Sequence, residues 1–298
     1  MSPKLTHRLE YAGFLALCRV ARRLGPAGRR RLGERLGRLA WWILPRRREL
    51  AAENVRRAFP DWGEPRVQAL VRDNLKHLGR VVLEFAAIPS LTLEDVRSLG
   101  RLENAELLDA AQARGKGVLL LGGHLGNWEY GSLVMGAHGY AISAIAKRIA
   151  NPLIDRHVTR LRTHFGGTII GHRNAVRPVF KALRQGGRVG FLLDQRAVAR
   201  EGVRSEFFGQ PVSTNQGLAL LALKSGAPVV FGETERVGDV HVVRFGPCID
   251  PPDGLERGQA VAEFTRRFDA ALEAAVRRRP EQWFWVHQRW KLPRELQG

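Results

Sequence analysis

Apolar and polar positions divide this chain of 298 residues into two textures. Over residues 1 to about 100 the apolar side chains recur at helical spacing. Leu5, Leu9, Ala12, Leu15, Val20 and Leu24 form an approximate stripe among Lys4, Arg8, Arg19, Arg22 and Arg23. Residues 36–45 are a short apolar segment with Trp41 and Trp42 side by side, followed at once by Arg46, Arg47 and Arg48. Val67, Leu70, Val71, Leu75, Leu78, Val82 and Phe85 then keep a 3.6-residue period, which predicts a helix turned toward a core. An apolar face, aromatic anchors and a basic flank are what a helix needs to lie in a membrane interface, so the first two segments are expected to contact a membrane; the other reading is that they pack on the rest of the protein. No run of about 18 uninterrupted apolar residues occurs, so interfacial attachment is expected rather than a spanning helix.

From about residue 101 short β-like runs alternate with helical stretches, the pattern of an α/β layer fold. Strands are expected at residues 118–121, 140–146, 168–170, 189–193, 228–232 and 240–245, the last two joined as a hairpin near Gly238 and Asp239. Helices are expected from Asn127 to about Met135, from the cap pair Asn151 and Pro152 onward, around Val176 to Leu183, from a Thr214 cap through Lys224, and over residues 257–278. The division predicted is an N-terminal helical, membrane-associating region over 1–100 and an α/β core over 101–298.

Charge narrows the partners. Lys+Arg number 48 against 29 Asp+Glu, a formal net charge of +19, and only 7 of the 48 are Lys. Such a chain is drawn to acidic partners: an anionic membrane surface, an acidic protein or nucleic acid. Recognisable nucleic-acid modules and aromatic interleaving on a sheet are missing, so no nucleic-acid partner is expected, and that class stands as the alternative to an enzyme. Cys18 and Cys248 are isolated in sequence, which predicts neither a disulfide framework nor a metal site and suits a reducing compartment.

The candidate chemistry sits where the first strong strand ends, at Gly122-Gly123-His124, with Glu129 five residues on. On a continuous helix such residues diverge by ~140°. Gly126 and the capping residue Asn127 suggest that the helix begins only after His124. The imidazole is then expected to lie over the first turn and to hydrogen-bond Glu129, freeing its other nitrogen to take a proton. No Ser or Cys occupies a nucleophile position beside it, so direct attack by a substrate hydroxyl on an activated acyl group suits the pair.

Residues 122–129, Gly-Gly-His-Leu-Gly-Asn-Trp-Glu, resemble the H-x-x-x-x-[DE] block of the lysophospholipid acyltransferase superfamily, and their Asn-Trp-Glu ending resembles the bacterial lipid A late acyltransferases. Further blocks follow in order: Arg162 through Gly166, Gly187 through Gln195, Gly202 through Thr214, Ala227 through Val230, and Gln282 through Trp290. The resemblance implies a mixed central sheet flanked by helices, like that of glycerol-3-phosphate acyltransferase. It implies His124 as general base and Glu129 as its orienting group. Arg162 would stabilise the thioester oxyanion or grip phosphate, and Asp194 and Gln195 would shape the site. Phe207, Phe208, Trp283, Trp285 and Trp290 are expected to be wall or core, with His287 and Arg289 reaching the rim.

It further implies an acyl carrier protein thioester, or acyl-CoA, as donor, a lipid A precursor as acceptor, no cofactor, and attachment to the cytoplasmic face of the cell inner membrane. A lysophospholipid or another glycolipid is the alternative acceptor.

Overall fold

A computed structural model describes residues 4–296. The N-terminal third is helical: α1 (Leu5–Arg23), α2 (Pro26–Ile43), α3 (Pro45–Ala58) and α4 (Glu64–Ala87). Proline stands in the first turn of α2, α3 and α4, where a missing N–H costs nothing because that donor has no partner within the helix. Helices α2 and α4 touch backbone to backbone. A Cβ at Gly33 would sit 2.7 Å from the Cα of Arg80, and one at Gly37 2.5 Å from the Cα of Lys76, so this crossing admits only glycine. The α4 stripe behaves as its period predicts for Val67, Leu70, Val71 and Leu75, which are buried; Val82 is exposed.

The rest alternates strand and helix: α5 (Leu93–Leu99), β1 (Gly100–Glu103), α6 (Ala105–Gln112), β2 (Val118–Gly122), α7 (Trp128–Ala137), β3 (Ser143–Ala146), α8 (Pro152–Arg162), β4 (Thr168–Gly171), α9 (Val176–Arg184) and β5 (Arg188–Leu192). Then come β6 (Gly202–Phe207), β7 (Gln210–Asn215), α10 (Gly217–Ser225), β8 (Val229–Val237), β9 (Val240–Ile249) and α11 (Arg257–Arg278). Among the described residues, one sheet runs in the order β1-β9-β8-β2-β5-β3-β4, parallel except for the β8–β9 hairpin. Helices cover both faces. Leu119 and Leu121 of β2 point into one core, with Phe264, Phe268 and Trp283. Val118 and Leu120 point into the other, with Tyr130, Leu133 and Phe245. Both faces of a parallel sheet are buried, which is why β2 reads as an unbroken apolar run.

Two local expectations need correction, and one hairpin was not expected. Thr214 does not cap α10: it lies in β7, and its hydroxyl donates to Asp269. The β6–β7 hairpin was hidden because its strands carry polar outward faces and a turn with Phe208 at φ +55°. The strand expected from Tyr140 begins only at Ser143. No helix among the described residues is long and apolar enough to cross a membrane.

Buried histidines make the fold acid-sensitive. His77 hydrogen-bonds the Gly126 carbonyl at 2.9 Å, and burial, with the charge of Arg236, lowers its pKa to about 4. Its folded pKa lies below the unfolded value, so the unfolded chain binds the proton first. The stability is full above about pH 6.5 and is lost as the pH falls through about 4, on the order of 3 kcal/mol from this group. His241, also buried beside Arg236, acts in the same direction. Urea unfolding is expected to show a lower midpoint at pH 5 than at pH 7, and His77→Gln to flatten that dependence. An equal slope in both proteins would remove His77 as the cause.

Candidate active site

Strands β2 and β5 are parallel neighbours in register, Gly122 opposite Leu192. Their carboxyl ends therefore deliver the residues that follow them to one place, His124 from one and Asp194 from the other. His124 Nδ1 lies 2.7 Å from Asp194 Oδ1, and the His124 backbone N–H donates to Asp194 Oδ2 at 2.7 Å. The Trp283 indole N–H donates to the same Oδ2, also at 2.7 Å. Gly123 lets the chain pass: a Cβ there would lie 2.8 Å from Leu272 and 3.2 Å from Asp194 Oδ2.

Burial alone drives the Asp194 carboxyl up, but the facing imidazole and these three hydrogen bonds hold it below the ordinary carboxylate range. An ionised carboxylate only accepts, so Nδ1 carries the proton between them and the neutral ring leaves Nε2 with a lone pair. Gln195 places its amide nitrogen 3.3 Å from that Nε2. The Trp128 and Phe284 rings flank the imidazole at 5.0 and 5.8 Å between centroids and restrict its rotation.

Glu129 is not the partner of His124. It stands in the first turn of α7, which Asn127 caps by accepting from the Tyr130 N–H at 3.1 Å. From there its carboxylate takes a bidentate pair from Arg162, at 2.9 Å to Nε and 2.5 Å to Nη2. The sequence expectation failed because Arg162, 33 positions away at the end of α8, competes for the carboxylate, while Asp194 meets the imidazole edge-on. Both members of the pair complement their helix ends, an acid at an N-terminus and a base at a C-terminus. Burial opposes the charge on Arg162, but Glu129 outweighs it, so the guanidinium is held above its ordinary value.

Both pairs open on one cavity of about 1140 Å³, which also takes in Gln195. Lys147, Arg173, Arg196 and Arg257 add cationic groups to its lining, whereas Asp194 lies sealed beneath His124.

Arg289 does not reach the rim. It is fully buried and pairs with Asp269 at 2.6 Å, also donating to Thr214 Oγ1 at 2.8 Å and to the Gln195 and Ser213 carbonyls at 3.3 Å. It thus ties the backbone of the site to α11. His287 does not line the cavity either; burial lowers its pKa to about 4. The Trp283, Trp285 and Trp290 rings and Phe207 and Phe208 are core, as expected. Arg289→Met is expected to destabilise the protein by about 3–5 kcal/mol, because it strands a buried carboxylate. Denaturant titration of the variant checks this, and a loss below about 1 kcal/mol would contradict it.

What sequence reasoning missed is the link from Asp194 to His124 and the Trp283 donor beneath it. The available signal was positional, since both residues follow strands, and parallel neighbours gather such residues at their carboxyl ends.

The sequence profile of the family described as bacterial lipid A biosynthesis acyltransferase matches residues 2–292. The chain is 29% identical over 264 residues to the lipid A biosynthesis palmitoleoyltransferase of Escherichia coli, covering 87% of this chain and 84% of that protein. It is 26% identical over 265 residues to the lipid A biosynthesis lauroyltransferase of the same organism, covering 88% and 84%. Similarity extends to the phosphatidylinositol mannoside acyltransferase of Mycobacterium tuberculosis, at 26% over 223 residues, 73% of this chain and 69% of that protein.

Proposed function

Because this chain belongs to the bacterial lipid A biosynthesis acyltransferase family, we propose that it moves a fatty acyl group from an acyl carrier protein thioester to a hydroxyl of a lipid A precursor. At the coarser level it is an O-acyltransferase acting on a glycolipid. The observation that carries the mechanism is the His124–Asp194 pair, which leaves Nε2 facing the cavity as the base.

In this mechanism Nε2 takes the proton of the acceptor hydroxyl as its oxygen attacks the thioester carbonyl. Asp194 stabilises the imidazolium that results. The tetrahedral oxyanion forms near the Gln195 amide, and its collapse breaks the carbon–sulfur bond. The thiolate leaves with the proton that His124 held. Arg162 is held by Glu129 and lies in the same cavity, where its charge favours the oxyanion or an acceptor phosphate. The Lys and Arg side chains around the cavity suit a donor or acceptor that carries phosphate, and the net charge of +19 suits an acidic carrier protein.

Interfacial attachment to the cytoplasmic face of the inner membrane belongs to the same proposal. Leu5, Leu9, Leu39, Trp42 and Ile43 expose apolar surface on α1 and α2, with Trp42 at 75% exposure next to Arg46 and Arg47. Trp41 plays no part in it; its ring is taken by Arg48 and Arg72 at 5.0 and 4.7 Å.

A second reading, with a phosphatidylinositol mannoside as acceptor, draws on the mycobacterial relative. The purified protein, given acyl carrier protein and CoA thioesters with a lipid A precursor, a phosphatidylinositol mannoside or a lysophospholipid, separates these readings by product mass. Absence of product from the lipid A precursor would overturn the preferred acceptor.

A further inference from the structure

Strand β2 ends at Gly122 and α7 begins at Trp128, so the five residues that carry His124 lie outside both elements. Their hold comes from behind the cavity. On the C-terminal side, the Phe284 N–H donates to the His124 carbonyl at 3.0 Å, and the Gly126 N–H donates to the Gln282 carbonyl at 3.1 Å. On the other side stands α4. Its His77 Nε2 donates to the Gly126 carbonyl at 2.9 Å, and its Glu84 Oε2 accepts from the Asn127 side-chain amide at 2.8 Å. Seven residues are nearly two full turns, so His77 and Glu84 share one face of α4. Asn127 is fully buried and its amide is used at both ends, with Oδ1 accepting the Tyr130 N–H at the start of α7. Arg236 donates to the same Glu84 oxygen, and its backbone is locked to the Gln282 side chain by reciprocal bonds of 2.8 and 3.0 Å. The Glu84 carboxylate is thus where α4, the β8–β9 hairpin and the C-terminal segment meet the His124 loop.

We propose that Glu84 is a positioning residue for acyl transfer: acting through Asn127, it fixes His124 and the Glu129–Arg162 pair in one mutual placement. The inference rests on the acyltransferase reading of the same site. Neither Glu84 nor Asn127 is among the residues that line the cavity, so both act through others. Asn127 is the pivot. It follows His124 by three residues, and next to it come Trp128, whose ring flanks the imidazole, and Glu129, which holds Arg162. If the amide lets go of Glu84, the loop and the first turn of α7 are free to shift together. A displacement of about 1 Å at reacting groups can cost on the order of 10²-fold in rate. The residue type matters as well: a carboxylate at position 127 could still cap α7, but it has no proton to give Glu84.

The experiment is a cycle of Glu84→Gln, Asn127→Asp and the double variant. In Asn127→Asp two carboxylates face each other; in the double variant an amide again faces a carboxylate. Each protein is assayed, where its unfolding curve shows it folded, for transfer from an acyl carrier protein thioester to a lipid A precursor. The downfield proton resonance of the His124–Asp194 hydrogen bond is read alongside by NMR and assigned with His124→Ala. Asn127→Asp is expected to lower kcat by about 10² with KM little changed, and to displace that resonance. Glu84→Gln is expected to cost less, because its side-chain oxygen can still accept from Asn127. The double variant is expected to return to the Glu84→Gln values in both readouts. A purely structural role would lower the unfolding midpoint and leave kcat and the resonance of the folded protein unchanged, which overturns the proposal. Losses that simply multiply in the double variant overturn it too. If Asn127→Asp does not fold, Glu84→Asp decides in its place: it keeps the carboxylate but draws it one methylene back from Asn127, and wild-type kcat with an unmoved resonance sinks the idea. If wild type transfers nothing, the acyltransferase reading fails, while the resonance still reports whether Glu84 positions His124.

Discussion

Asp194→Asn is expected to lower kcat by about 10⁴, with little change in KM, which is the cost of the same exchange in a Ser-His-Asp triad. The geometry explains why an isosteric change should be so damaging. Asp194 Oδ2 accepts two N–H bonds, from the His124 backbone and the Trp283 indole. In the variant the amide oxygen must take that place, since an NH₂ group there would face two donors. The NH₂ group is then left opposite Nδ1, where it can only donate. Nδ1 becomes the acceptor, the ring proton moves to Nε2, and the nitrogen facing the cavity can no longer take a proton from the substrate. Single-turnover kinetics and an unfolding curve separate this from loss of fold. A variant with more than a tenth of wild-type kcat would dissociate Asp194 from the mechanism. Glu129→Gln should cost less, because the amide retains a hydrogen bond to Arg162 and the imidazole keeps its partner.

His124→Ala removes the proposed base itself and is expected to reduce transfer by about 10²–10⁴. The fold should survive, because Asp194 keeps two of its three hydrogen bonds, one from the residue 124 backbone and one from Trp283. Donor binding should also survive, since the Lys and Arg side chains around the cavity are untouched. The thermal shift produced by an acyl thioether is therefore expected to match wild type while product formation collapses. Near-normal turnover would place the base elsewhere in the cavity.

The two pairs divide the work that the sequence assigned to one. His124 and Glu129 are five residues apart, and spacing suggested that they act together. Instead each finds its partner across the fold: the imidazole an aspartate from the neighbouring strand, and the carboxylate an arginine from the next helix. Glu129 thereby positions a cation in the cavity, while Asp194 sets the tautomer of the proposed base.

The chain order alone determined a good deal. An unbroken apolar run marked β2 as a buried strand, and helical period marked α4 as a packed helix, because these patterns report local burial against water. Asn127 and Asn151 announced their helix starts through side-chain capping, which is also local. His124, Glu129, Arg162, Asp194 and Gln195 could all be marked as candidate site residues, since three short blocks that resemble those of the acyltransferase family carry them. Which of them touch was decided only by the tertiary structure. That depends on β2 and β5 lying side by side, on α8 swinging Arg162 back over α7, and on Trp283 arriving from the far end of the chain. Hydrogen bonds are short and directional, so a partner 70 residues away at 2.7 Å outweighs one five residues away that faces elsewhere.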